Sequence, residues 1–169
     1  MSVMFMAGFA VGILLVALAF WVVRRTMKMK PCEYDERQEL LRGRGFKYGF
    51  FFLMIYDFLA GVMEIEDIFP WCDSVVINSI GIGLSLLVFV SYCIWKDAYI
   101  SLTEKPVKVC IFLGLAATLN GVIGAVNLVT GTLKEEGGLQ AINLILAVVL
   151  LIVMIELIVK ISLSKREME

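Results

Sequence analysis

Five apolar stretches set the frame of this chain, with charged and turn-forming residues between them. Val3 to Val23 is a run of 21 residues without a charge, long enough at about 1.5 Å per residue to cross a hydrocarbon core of about 30 Å. Basic residues follow this run rather than precede it: Arg24, Arg25, Lys28 and Lys30. A cleaved signal peptide has the reverse order, so the run reads as a retained anchor. Gly8 and Gly12 give it a GxxxG spacing, ordinary in helices that pack closely in a membrane. Pro31 ends the segment that follows. Asp35 then stands three residues before Gln38, the spacing of a capping box. It predicts an amphipathic lead-in over 35–45 that runs on into a second span over 46–63. Further uncharged runs predict spans over about 75–95, 109–133 and 139–159. Between them lie the acidic loop of Glu64, Glu66, Asp67 and Asp73, the Lys96–Lys108 loop with Pro106, and Lys134, Glu135 and Glu136 before a Gly pair.

Composition agrees with this pattern. At 169 residues, 60% hydrophobic, the chain is too apolar for a soluble domain and too short for two folded units. The mean hydropathy is +0.90. The expected class is all-α: a single membrane domain over 1–169, built as an integral bundle of five transmembrane helices. The sequence contains no histidine, which removes the commonest general base and the commonest transition-metal ligand. Cys32, Cys72, Cys93 and Cys110 show no CxxC spacing, so neither a zinc site nor a disulfide framework is indicated. No metal, cofactor or catalytic residue is expected.

Charge fixes the expected orientation. Five spans with the N-terminus outside and the C-terminus cytoplasmic put 14 of the 15 Lys and Arg residues on the inner side; only Lys134 falls outside. The outer loops carry six acidic residues against that one lysine. Trp21, Trp71 and Trp95 all fall at span ends, where an amphipathic ring prefers to sit.

Spans two and three resemble spans four and five in outline. Asp57 and Asn120 sit mid-span, and Ile77-Asn78 matches Ile142-Asn143, both in the same chain direction. A parallel duplication of a helical hairpin, with the first span added in front, would give that pattern.

Asp57 is the one ionisable residue deep in a span. It lies 10 residues from Lys47 and 7 from Glu64, roughly 15 Å and 10 Å along a helix axis. An ionised carboxylate there costs several kcal/mol, so Asp57 is expected to face the bundle interior, to be paired or to be protonated. Its candidate partners are Asn120 and Asn127 on the fourth span, Asn78 and Ser85 on the third, and Asn143 on the fifth. The reading is polar contact between helices; a proton or cation site is the alternative. Asn120, Gly124, Asn127 and Gly131 recur on one helical face that should pack closely on a neighbour. Glu156 stands one turn before Lys160, a spacing that suits an ion pair along the helix near the inner surface.

The first inner loop and lead-in hold Arg24, Arg25, Lys28, Lys30, Arg37, Arg42, Arg44 and Lys47. Basic residues there attract anionic lipid at the cytoplasmic face. Glu33, Asp35, Glu36 and Glu39 interrupt them, and mixed charge of this kind suits a protein partner and argues against nucleic acid. The run Asp35-Glu36-Arg37-Gln38, followed by Arg42-Gly43-Arg44-Gly45 and an apolar span, resembles small multispan membrane proteins of Gram-positive bacteria that form a domain-of-unknown-function group. The resemblance implies a bacterial plasma membrane and carries no site residues. With short loops and no extramembrane domain, the expected function is non-enzymatic: association of helices with a second copy or with a larger membrane partner. The alternative is a small transporter or channel subunit with Asp57 as its proton or cation site.

Overall fold

A computed structural model describes residues 33–66, 68, 73–130 and 141–166, together with Leu18 and Trp21. The chain divides into two compact units, Met1–Cys32 and Glu33–Glu169. The first predicted span lies outside the described residues except for Leu18 and Trp21, both helical. Gly8, Gly12 and the cluster Arg24, Arg25, Lys28 and Lys30 lie outside them too.

The described part of the second unit is helical throughout its regular structure. It has four helices long and apolar enough to cross a membrane, against the five predicted for the whole chain. The first, α1, runs from Glu36 to Ile65 without a break, so the lead-in and the second predicted span are one rod of 30 residues. Its start is the expected capping box. Asp35 Oδ1 accepts from the Gln38 N–H at 2.5 Å, and Gln38 Oε1 accepts from the Asp35 N–H at 3.3 Å.

The second helix, α2, spans Ser74–Trp95 and is capped by Asp73, whose carboxylate accepts from the Val75 N–H at 3.0 Å. The third, α3, spans Pro106–Thr130. Proline opens it because the first turn needs no N–H from that residue. The fourth, α4, spans Ile142–Arg166 and continues beyond the predicted end near 159. Lys160 and Ser164 therefore stand on the helix.

α1 packs on α2, α2 on α4 and α4 on α3, and these are the contacts between the four described helices. The two central helices, α2 and α4, run in the same direction; α1 and α3 lie outside them. Burial is least in α1, 6% of its apolar window, and greatest in α4, 22%. The buried core sits where α2, α3 and α4 meet, around Ile94, Leu113, Val153 and Leu157.

Small residues set the close approaches. A Cβ on Gly49 would lie 3.0 Å from the Ser85 carbonyl oxygen and 3.2 Å from Phe89 Cβ, so α1 and α2 nearly touch backbone to backbone there. Tyr56 lies against Gly81 and donates its hydroxyl to the Ile77 carbonyl at 2.8 Å. On the other hairpin, Gly124 is buried against Leu144, as the glycine face of the fourth predicted span implied.

The two hairpins repeat one contact. Gly49 meets Phe89 and Gly114 meets Met154, the second pair standing 65 positions beyond the first, the offset that also separates Ile77-Asn78 from Ile142-Asn143. Outer helices α1 and α3 are equivalent in this register, and so are inner helices α2 and α4. Parallel duplication would produce that layout. The register sets Val122, not Asn120, opposite Asp57.

Candidate functional site

Polar groups gather at three places in the second unit: on the outer face of α1, between α2 and α4, and at the end where α1 starts and α4 finishes.

Asp57 is exposed on α1 and makes no hydrogen bond or ion pair with a described residue. The expectation that it faces the interior fails among the described helices for a geometric reason. α1 meets α2 through Gly45, Gly49 and Tyr56. Asp57 follows Tyr56 and is turned about 100° further round the helix. The expected asparagine partners are not brought to it. α1 does not pack on α3 or α4, which carry Asn120, Asn127 and Asn143. Asn120 donates instead to the Ala116 carbonyl of its own helix at 2.8 Å, which satisfies part of its amide without a neighbour. Asn127 and Asn143 are half-buried, and Asn78 is exposed. Ser85 uses its hydroxyl on the Gly49 carbonyl at 3.0 Å.

The interior carboxylate is Glu156. Its Oε1 accepts from the Ser91 hydroxyl at 3.0 Å across the α2–α4 contact, and its Oε2 is buried without a partner. The expected Glu156–Lys160 pair along the helix does not form. Lys160 reaches the α2–α3 loop, with its ammonium 3.1 Å from Asp97 Oδ1 and 3.2 Å from Oδ2. Spacing alone favoured the local pair, but the α4 face bearing Glu156 is taken up by α2.

The third cluster joins three chain segments at one end of the unit. Gln38 is buried, and its Nε2 donates to the Asp97 carbonyl at 2.9 Å and the Ile100 carbonyl at 3.3 Å. One side chain thus caps α1 and holds the α2–α3 loop. Arg42 donates to the Ala98 carbonyl at 3.3 Å and lies 4.2 Å from the centroid of the Tyr34 ring, a cation–π stack. The Leu102 N–H donates to the Glu33 carbonyl at 2.9 Å. Asp97, with φ of 58°, adopts the left-handed conformation that non-glycine residues seldom take. Its carbonyl is held by Gln38 and its carboxylate by Lys160, which together fix that turn. Burial pushes the Tyr99 hydroxyl above its ordinary pKa; nearby Tyr34 adds to the shift and Arg42 opposes it.

Of the basic set proposed to face lipid or a partner, Arg37, Arg44 and Lys47 are exposed, and Arg42 is half-buried against the loop. A cleft of about 380 Å³ opens beside this cluster, lined by the ends of α2 and α4, the start of α3 and the loop between α2 and α3. Among the described residues no three His, Cys, Asp or Glu side chains come together to hold a metal ion.

Sequence reasoning missed the Ser91–Glu156 contact and the second role of Gln38. The repeat offset of 65 was the available signal for the first, because Ser91 and Glu156 are separated by that same number. Nothing local marks the second, since the loop carbonyls that Gln38 meets lie about sixty residues away. No protein family, curated protein or solved structure matches this chain.

Proposed function

We propose that this chain is a non-enzymatic multi-pass membrane protein that works by self-association through the open face of α1, with Asp57 as the polar anchor of the contact. The observation that carries this reading is the position of Asp57: exposed, mid-span, on the edge helix of the described array. An ionised carboxylate turned toward hydrocarbon costs several kcal/mol, and contact with a polar partner offsets part of the cost of placing Asp57 there. The chain's own first span is a poor source of one. From Val3 to Val23 the only polar side-chain group is the indole N–H of Trp21, at the inner end of the run.

A second copy supplies the partner directly. In a two-fold contact residue 57 of one copy meets residue 57 of the other, and two carboxyl groups can satisfy each other through an O–H···O bond. Phe51, Met54, Ile55 and Phe58 are exposed around Asp57 and would surround that bond with apolar surface. A larger membrane partner with a polar side chain at the same depth is the other form of the same reading.

The charge distribution supports a cytoplasmic location for the end that carries the α2–α3 loop. Arg37, Arg44, Lys47, Lys96, Lys105, Lys108 and Arg166 lie exposed there, whereas the described residues at the far end carry Glu64, Glu66 and Asp73 and no Lys or Arg. A bacterial plasma membrane fits the Asp35–Gln38 resemblance.

Cross-linking tests the interface. With the native cysteines replaced by serine, Phe58→Cys on α1 is expected to form a disulfide between copies in membranes. Val126→Cys on the outer face of α3 is not. Cross-linking at 126 but not at 58 would place any self-association elsewhere.

A further inference from the structure

We infer that the cleft between the ends of α2 and α4 and the start of α3 is a binding site for one anionic phospholipid, with an acyl chain in the cleft and the phosphate at Lys160. Its volume of about 380 Å³ lies within the roughly 300–1,000 Å³ of small-ligand sites. Ile100, Leu157 and Ile161 are part of its apolar lining, and Asp97, Lys160 and Ser164 are part of its polar lining. An apolar lining interrupted by an ammonium and a hydroxyl suits an amphiphile.

The level in the bilayer agrees. Trp95, half exposed at the end of α2, marks the interface next to Ile94, which lines the cleft. Leu157 stands three residues, about 4.5 Å, before Lys160 on α4 and so on its bilayer side, and an acyl chain running from Lys160 past Leu157 and Ile94 heads toward the hydrocarbon.

Charge selects an anionic headgroup over a zwitterionic one. Lys160 keeps its ammonium at the mouth by its bond to Asp97, and only a quarter of its side chain is exposed while Asp97 is mostly open to water. Lys105 adjoins Pro106, and Arg166 follows two residues after Ser164; both are exposed and neither holds an ion pair among the described residues. Basic pockets between membrane helices are suited to such headgroups. A phosphate arriving at Lys160 competes with the Asp97 carboxylate for the same ammonium. Asp97 thereby sets how tightly the lipid binds.

Native mass spectrometry of the full chain, released from micelles containing equal phosphatidylglycerol and phosphatidylcholine of matched acyl chains, tests this. The expected result is one retained phosphatidylglycerol per chain, preferred about tenfold. Lys160→Ala should abolish the preference. Asp97→Asn should raise phosphatidylglycerol retention several-fold, since it frees the ammonium, and asparagine tolerates the left-handed backbone at that position. Ile161→Trp should block retention with every charge in place, which keeps the proposal testable if Lys160→Ala does not fold. Equal retention of the two lipids would overturn the proposal. So would a loss of retention in Asp97→Asn, because a merely structural ion pair suffers alike from removal of either partner. Displacement of phosphatidylglycerol by soluble glycerol phosphate at millimolar concentration would also overturn it, by showing that the acyl chain adds nothing.

Discussion

Ser91 donates its hydroxyl to Glu156 at 3.0 Å across the two central helices, and the two residues stand 65 positions apart, the offset that relates Asn78 to Asn143 and the Gly49–Phe89 contact to the Gly114–Met154 contact. Equivalent positions of two repeats meet each other where a two-fold axis passes between them. The hydrogen bond thus falls where parallel duplication of a hairpin would bring the two inner helices together. Serine supplies the donor and glutamate the acceptor of that pair.

This arrangement predicts non-additive mutations. Ser91→Ala leaves both Glu156 oxygens without a partner among the described groups and is expected to destabilise the chain by about 1–3 kcal/mol. Ser91→Ala with Glu156→Met removes the stranded carboxyl and should recover most of that loss. Reversible unfolding in mixed micelles measures both. A double variant no more stable than Ser91→Ala alone would show that the carboxyl is satisfied in some other way.

Much of the fold was legible in the sequence because hydrocarbon imposes a length and a polarity on each span. The 75–95 run is α2 almost to the residue, and the Asp35–Gln38 spacing located the start of α1. The lateral order of helices was not legible. Nearly every face of these helices is apolar, so periodicity does not say which side meets a neighbour. Asp57 illustrates this: its polarity predicted an interior position, whereas Gly45, Gly49 and Tyr56 decide which face of α1 packs. Gly49 was a better guide to packing than any polar residue, and its sequence context did not single it out.

Glycine substitutions should separate packing positions from open ones. Gly49→Ala drives a methyl toward the Ser85 carbonyl oxygen and is expected to cost about 1–3 kcal/mol, because a backbone atom cannot rotate away. Gly43, on the same helix, has nothing within 4 Å of the place a methyl would occupy, and Gly43→Ala should be neutral or stabilise by up to about 1 kcal/mol through helix propensity. Equal effects of the two in a thermal melt would mean that α1 and α2 do not approach at Gly49.

Gln38 offers a test of its two roles. Glutamate is as good as glutamine in a capping box, so a residue that only caps would tolerate Gln38→Glu. Here Nε2 donates to the Asp97 and Ile100 carbonyls, and a carboxylate at that place would face two acceptors. Gln38→Glu is therefore expected to loosen the α2–α3 loop at least as much as Gln38→Ala, seen as faster hydrogen exchange at the Leu102 amide. Wild-type exchange in Gln38→Glu would reduce Gln38 to a cap.

Orientation can be read with an impermeant thiol reagent on intact cells, in a background with Cys32 and Cys72 replaced by serine. Glu66→Cys should be labelled from outside, and Lys105→Cys only after permeabilisation. Both positions are exposed and lie at opposite ends of the described unit. The reverse pattern would invert the topology proposed from the charge distribution.

The role of Asp57 in association is tested most directly by measuring the dimer equilibrium of labelled chains in liposomes by single-molecule photobleaching, across a range of protein-to-lipid ratios. Polar contacts between membrane helices are worth about 0.6–2 kcal/mol, so Asp57→Leu should weaken dimerisation by roughly 3- to 30-fold. Asp57→Asn, whose amides can pair across the same two-fold axis, should stay within a few-fold of wild type. A wild-type chain that remains monomeric at every ratio, or an Asp57→Leu chain that dimerises as well as wild type, would contradict the account.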